Sequence, residues 1–182
     1  MKKIDFSKYN NNNYYFGNPL KRILWYFINM FFFKTMLPFP YSFKAFLLKI
    51  FGAKIGKNIV IKPNINIKYP WFLTIGDNCW IGEGVWIDNL DEVITGDNVC
   101  ISQGAYLLTG SHNYKKESFD LIVGKIILEE GVWIGARAVV CPNVTCKSHS
   151  ILTVGSVATT DLEPYSIYQG NPAVFKRKRV II

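Results

Sequence analysis

The chain is short of histidine, acid and paired cysteine, and each shortage removes a class of function. It has two histidines, His112 and His149, in 182 residues. A three-histidine zinc site therefore cannot be assembled within one copy, and no metal is expected. Four cysteines (Cys79, Cys100, Cys141, Cys146) show no CxxC pair and no zinc-type grouping with histidine. Cys141 and Cys146 read instead as small apolar residues filling a core. Thirteen Asp and Glu stand against 21 Lys and Arg, a formal charge of +8. That balance suits an anionic ligand, a membrane surface or nucleic acid, and does not choose among them.

Long apolar runs are also missing. The longest stretch, Ile23 to Phe33, is interrupted by Asn29 and falls short of the ~20 residues that span a bilayer. With Lys21, Arg22 and Lys34 before and after it, and a second apolar group from Phe39 to Leu48, it predicts two amphipathic helices split by Pro38 and Pro40. They either cap the end of a repeat domain or rest on anionic lipid at a membrane interface. No secretory signal is visible, so a cytoplasmic protein with reduced thiols is expected, free or peripheral to the inner face of the membrane.

What the chain does contain is a period of six. Ile55, Ile61 and Ile67 form one series, and Ile75, Ile81 and Ile87 a second. Ile101 and Leu107 form a third that Thr95 can open, and Leu128, Ile134, Val140, Cys146, Leu152 and Ala158 a fourth. Glycine follows several of these (Gly56, Gly76, Gly82, Gly96, Gly135), and small residues recur four places later (Val85, Ala105, Val132, Ala138, Val144). Neither a helix nor an alternating strand has this period. A parallel β-helix does: three hexads close one triangular coil, the aliphatic residue points inward, and the glycine is expected to permit the tight turn. The fold class is therefore all-β, with residues 1–53 a helical, aromatic-rich extension, 54–162 the β-helix and 163–182 a basic tail.

Two insertions break the rhythm: Asp88 to Glu92, and a longer loop, 108–125, that carries Thr109-Gly110-Ser111-His112-Asn113-Tyr114. Loops that interrupt a rigid repeat are where function concentrates. His112 sits there beside small and polar residues, not on an apolar face, and is either a candidate base or a structural loop histidine. His149 lies where an outward corner is expected and reads as an exposed polar residue.

Ile134-Gly135-Ala136-Arg137-Ala138-Val139-Val140-Cys141-Pro142-Asn143-Val144-Thr145, Val154-Gly155-Ser156-Val157 and Gly170-Asn171-Pro172-Ala173 resemble the hexapeptide-repeat acetyltransferases, whose coil is left-handed. Lys68-Tyr69-Pro70-Trp71 and Trp86-Ile87-Asp88-Asn89-Leu90, with the His112 loop, resemble the colanic-acid type, beside the galactoside and maltose enzymes. The resemblance implies acetyl-CoA as donor, a sugar acceptor in exopolysaccharide or capsule synthesis, and a homotrimer with sites between subunits. It implies His112 as general base and Asn89, beside Asp88, as an acceptor contact. An Asx turn is the competing reading of Asn89, and Asp88 is one candidate to orient His112. For the cofactor it implies Ala136, Gly155 and Thr159 along the pantetheine arm and Arg177 at the phosphates. Thr160 departs from a common lysine and Val174 from a common basic residue, so phosphate contacts can shift along Lys176-Arg177-Lys178-Arg179; a solvated terminus is the alternative. Direct transfer without a covalent intermediate is expected, with backbone N–H groups at the oxyanion. A sugar N-acetyltransferase and a non-catalytic scaffold that joins a membrane-bound polysaccharide assembly through its aromatic N-terminus are the other readings; the acceptor is a free sugar, a nucleotide sugar or a lipid-linked saccharide, which the apolar N-terminus favours. A nucleic-acid binder ranks last for want of a binding module.

Overall fold

A computed structural model describes residues 3–182. After a single 3-10 turn at Phe6–Lys8, helix α1 (Pro19–Ile28) opens on a sequence-encoded cap. Asn18 Oδ1 accepts from the Leu20 and Lys21 amides, and Pro19 occupies the first turn, where no amide is needed. The helix widens into a π turn, Asn29–Phe33, and stops before Pro38. Helix α2 (Tyr41–Ile50) starts directly after Pro40. Both helices close the open end of the first coil. Trp25 and Phe33 are buried there at 5.2 Å between ring centroids, and Trp25 Nε1 donates to the Ile67 carbonyl at 2.8 Å. Lys44, fully buried, donates to the Lys62 carbonyl at 2.9 Å. Capping of the repeat, one of the two readings, is thus what the helices do on their inner side.

From Lys54 onward the chain winds as a left-handed prism of three parallel sheets. The first face takes strands Lys54–Ile55, Leu73–Ile75, Val93–Thr95, Ile126–Leu128 and Thr145–Cys146. The second takes Val60–Ile61, Trp80–Ile81, Cys100–Ile101, Trp133–Ile134, Ile151–Leu152 and Ser166–Gln169. The third takes Asn66–Ile67, Trp86–Asp88, Tyr106–Leu108, Val139–Val140 and Val157–Ala158. Every residue of the six-fold series points inward and is buried, Thr95 included. So are Val85, Ala105, Val132, Ala138 and Val144.

The turn chemistry differs from the expectation. The backbone turns left-handed three places after the inward residue, at Asn58, Asn64, Asn78, Asn98 and Asn143, at Gly84 or Gly155, and at His149. Asparagine tolerates that region by bonding locally. The glycines one place after the inward residue do something else: a Cβ on Gly76 would lie 2.4 Å from the Gly96 carbonyl carbon and oxygen of the next coil. They permit close stacking of coils, not the turn. His149 is a corner residue, as its position suggested, but half-buried rather than exposed, its ring 4.7 Å from that of Tyr165, and Cys146 is a core residue. Cys141 is only half-buried, because it follows the inward Val140 and faces outward.

The rhythm breaks at three places. Paired residues stand 20 apart in the first coils (Lys54 with Thr74, Trp80 with Cys100), 33 apart across the long insertion (Ile94 with Ile127), and 18 apart only after it (Ile127 with Thr145). The break the period did not reveal is Lys68 to Phe72, which holds a 3-10 turn at Pro70–Phe72. All three excesses fall at one corner, between the third face and the first. Residues 163–182 form a hairpin in which Val174–Lys178 pairs antiparallel with Ser166–Gln169 at the end of the second face.

Candidate active site

The stacked insertions build the site upward from one corner. Asn89 is buried, and its amide is held by Tyr69: it accepts from the Tyr69 N–H at 3.0 Å and donates to the Tyr69 carbonyl at 2.5 Å. One coil higher, Thr109 Oγ1 donates to the Asp88 carbonyl at 2.8 Å and accepts from the Asp91 N–H at 3.1 Å. These bonds satisfy backbone groups that the bulged corners would otherwise leave without partners. On this base stands a hairpin, Gly110–His112 paired with Leu121–Val123.

His112 lies on the first hairpin strand, half-buried. Its ring stacks on Phe119 at 4.5 Å between centroids and 8° between planes, and Nδ1 is 2.9 Å from the Phe119 carbonyl. A carbonyl can only accept, so Nδ1 is the donor, and Nε2 is the nitrogen left to meet a substrate. Phe119 reaches this position with a left-handed backbone, φ 51°, uncommon for an aromatic residue and a mark of local strain. The group that orients His112 is therefore a backbone carbonyl. Asp88, the candidate for that role, is engaged elsewhere: Lys68 Nζ lies 2.8 Å from one carboxylate oxygen, and the Tyr106 hydroxyl donates to the other at 3.2 Å. Burial first, and then the Asp88 charge, push the Tyr106 hydroxyl up to about 12, so it stays a donor at neutral pH.

The amino-terminal segment straps the hairpin from outside. The Asp5 N–H donates to the Glu117 carbonyl at 2.9 Å, Lys8 pairs with Glu117 at 2.7 Å, and the Asn10 N–H donates to Asp120 Oδ1 at 3.2 Å. Phe6 meets Phe119 edge-on at 5.6 Å, and Tyr9 stands 6.1 Å from the His112 ring. No periodicity marks this strap, and sequence reasoning missed it.

The expected cofactor residues are divided between corners. An open groove of ≈ 370 Å³ runs along the corner between the second and third faces, lined by Ser102, Gln103, Trp133, Ala136 and Val154. Gly155 donates its N–H to the Ala136 carbonyl at 2.9 Å, so these two are brought together. Thr159 and Thr160 are exposed at the insertion corner of the last coil, and Arg177 is exposed on the final hairpin opposite Ile167. Of the basic run, Lys178 bonds Ser166 and Pro164, and Arg179 bonds the Gly131 and His149 carbonyls, which leaves Lys176 and Arg177 to face solvent. Ser102, Gln103 and Trp133 were not anticipated; their place on the ladder beside Ala136 was the available signal. Burial raises the Cys79 and Cys100 thiols, which makes both poor nucleophiles. Among the described residues, no three His, Cys, Asp or Glu side chains gather as a metal set.

The sum is an extruded imidazole with one free nitrogen on a stacked-coil prism, and a groove along another corner. An Escherichia coli protein assigned by name to colanic acid biosynthesis as an acetyltransferase is 38% identical over 164 residues, covering 90% of each chain. The chain belongs to the hexapeptide-repeat acetyltransferases. It is thus an acyltransferase. Galactoside O-acetyltransferase of Escherichia coli is 30% identical over 129 residues, covering 69% of this chain and 64% of that one. Galactoside acetyltransferase in complex with coenzyme A has a TM-score of 0.78 at 26% identity, covering 88% of this chain and 81% of that one. A Vibrio cholerae hexapeptide-repeat acetyltransferase with acetyl-CoA bound has a TM-score of 0.79 at 21% identity, covering 89% and 88%, a likeness of fold. No family model matches the chain.

Proposed function

We propose that the protein transfers an acetyl group from acetyl-CoA to a sugar hydroxyl in the assembly of an exopolysaccharide or capsule, on the cytoplasmic side of the membrane. The observation that carries this is the His112 ring, held by the Phe119 carbonyl at Nδ1, which leaves Nε2 to face a substrate. A sugar hydroxyl attacks a thioester poorly until a base takes its proton, and neutral Nε2 is such a base. The hydroxyl oxygen bonds to the acetyl carbon as its proton passes to Nε2. The tetrahedral intermediate collapses with loss of the CoA sulfur, and the imidazolium returns the proton to that sulfur. Backbone N–H groups at the coil corner hold the oxyanion, and no side chain is acylated.

In one subunit, His112 and the Ala136 groove occupy different corners of the prism, so they face one site only when a second copy brings its groove to the His112 hairpin. This supports a homotrimer with three shared sites. The pantetheine arm passes Ala136 and Gly155, where side chains are minimal, and Thr159, Thr160 and Arg177 complete the donor site. Asp88 contacts the acceptor; Asn89, expected to do so, is buried with its amide held by Tyr69 and braces that corner instead. The test is incubation with acetyl-CoA and a panel of sugars, with product mass and base lability recorded. An acetyl ester supports the reading. An amide on an amino sugar, or no transfer by a correctly folded trimer to any acceptor, overturns it.

A further inference from the structure

Charge in this molecule is segregated. From Phe6 to Gly76 there is no Asp or Glu, while ten lysines and arginines fall in that span. Within it, α1 is apolar on both sides. Its inner side carries Trp25, but Leu20, Ile23, Leu24 and Phe27, with Phe31 on the π turn that follows, stand exposed as a second stripe. A helix of this kind is normally buried all round.

Between α1 and the third face lies a groove of ≈ 680 Å³, within the ~300–1,000 Å³ typical of small-molecule sites. Its apolar wall is Ile23, Tyr26, Phe27, Met30 and Trp86. Its charged lining is Arg22, Lys34 and Lys68, with no carboxylate. Lys68 has Asp88 as partner, whereas no ion pair engages Arg22 or Lys34 among the described residues. Arg22 Nε is buried without a hydrogen-bond partner, its guanidinium over the Phe16 ring at 5.1 Å. The groove continues into the site: Trp86 stacks on Tyr106 at 4.8 Å, and Tyr106 and Lys68 both hold Asp88.

We infer that this groove binds an amphiphilic acceptor, a saccharide joined through phosphate or diphosphate to a long hydrocarbon chain. The cations match the phosphate, the apolar wall and the outer stripe of α1 match the chain, and continuity with Asp88 delivers the sugar towards the hairpin. A second copy packed here through the same face would set like cations against each other. As an assignment of acceptor class, the inference rests on the function proposed above, but the groove can be tested without it.

The test is calorimetric binding to the full chain, with no acetyl-CoA or sugar present, of farnesyl diphosphate, farnesol and inorganic pyrophosphate. Farnesyl diphosphate is expected to bind at least ~10-fold more tightly than either fragment, because it alone fills both halves of the groove. Lys34→Ala, at an exposed position, and Phe27→Asp should each weaken it several-fold, and Arg22→Ala with Lys34→Ala by ~10-fold or more. Circular dichroism confirms that the variants fold. Equal binding of farnesol would mean apolar adsorption, and equal binding of pyrophosphate a free-anion site. Either result overturns the inference, as does no binding, or a Phe27→Asp variant that changes assembly size while binding is unaltered. Failure of acetyl transfer with binding intact would sink the proposed function and leave the groove. Transfer to free sugars without farnesyl diphosphate binding would do the reverse.

Discussion

Removing residues 1–10 takes away the strap that holds the His112 hairpin. The hairpin is short, with three paired positions beyond its root, and an isolated hairpin of that kind is marginal in water. The strap supplies the Asp5–Glu117 and Asn10–Asp120 hydrogen bonds, the exposed Lys8–Glu117 pair and the Phe6–Phe119 edge contact. Hydrogen bonds contribute ~0.5–1.5 kcal/mol each and an aromatic pair ~0.5–1.5, so the two hydrogen bonds and the Phe6–Phe119 contact supply about 1.5–4.5 kcal/mol local to the hairpin, with the exposed ion pair left out. The contacts that described residues 5–10 make with the rest of the chain are to the hairpin, so the unfolding midpoint should move little. If the hairpin opens, kcat should fall by ~10–100-fold, since each 1.4 kcal/mol is worth about tenfold. The assay is kcat and KM for both substrates together with hydrogen exchange across 110–123. Loss of kcat with raised exchange confined to that segment is expected. A truncated protein with wild-type kcat and wild-type hairpin protection would refute the strap's role.

Two glycines separate close stacking from turn geometry. Gly76→Ala, whose Cβ would meet the backbone of the next coil, should destabilise by ~3 kcal/mol or more. Gly155→Ala, with open space but φ 64°, should lose only ~1–2 kcal/mol, both read from urea midpoints. The strap should also respond to acid. The Lys116 side chain, then Ser118, hold the Asp120 carboxyl below its ordinary 3.8, and Ser7 does so for Asp5. A carboxylate depressed in the folded state stabilises above its ordinary pKa, and that contribution is lost as pH falls through its lowered value. Exchange protection of residues 5–10 should therefore hold at about pH 5 and fade below pH 3.8; unchanged protection at about pH 2 would contradict this. If Arg177 meets the CoA phosphates as proposed, Arg177→Ala should raise KM for acetyl-CoA several-fold with kcat unaltered. A fall in kcat alone would move it out of that role.

The prism was legible because burial forces one aliphatic residue into each hexad, and that repeats wherever coils stack. Thr95 could be placed inward on register alone. The turn residues were misread because glycine is conspicuous, whereas the left-handed positions are shared among asparagine, glycine, Arg137 and His149. The Lys68–Phe72 bulge was hidden because Ile67 and Ile75 each begin or end a regular series, so their eight-residue gap read as a boundary. His112 could be singled out because it stands in an insertion in a chain with one other histidine. Its orientation could not, since a backbone carbonyl leaves no signature in side-chain identities. The strap contacts join residues more than 100 positions apart, with neither repeat nor motif to link them.

The most direct test of the account is release of CoA thiol from acetyl-CoA with an accepting sugar, comparing wild type with His112→Ala. Removing the base should lower kcat by ~100-fold or more, while acetyl-CoA binding and assembly stay as in the wild type. A His112→Ala protein that transfers acetyl groups at the wild-type rate would contradict the central claim.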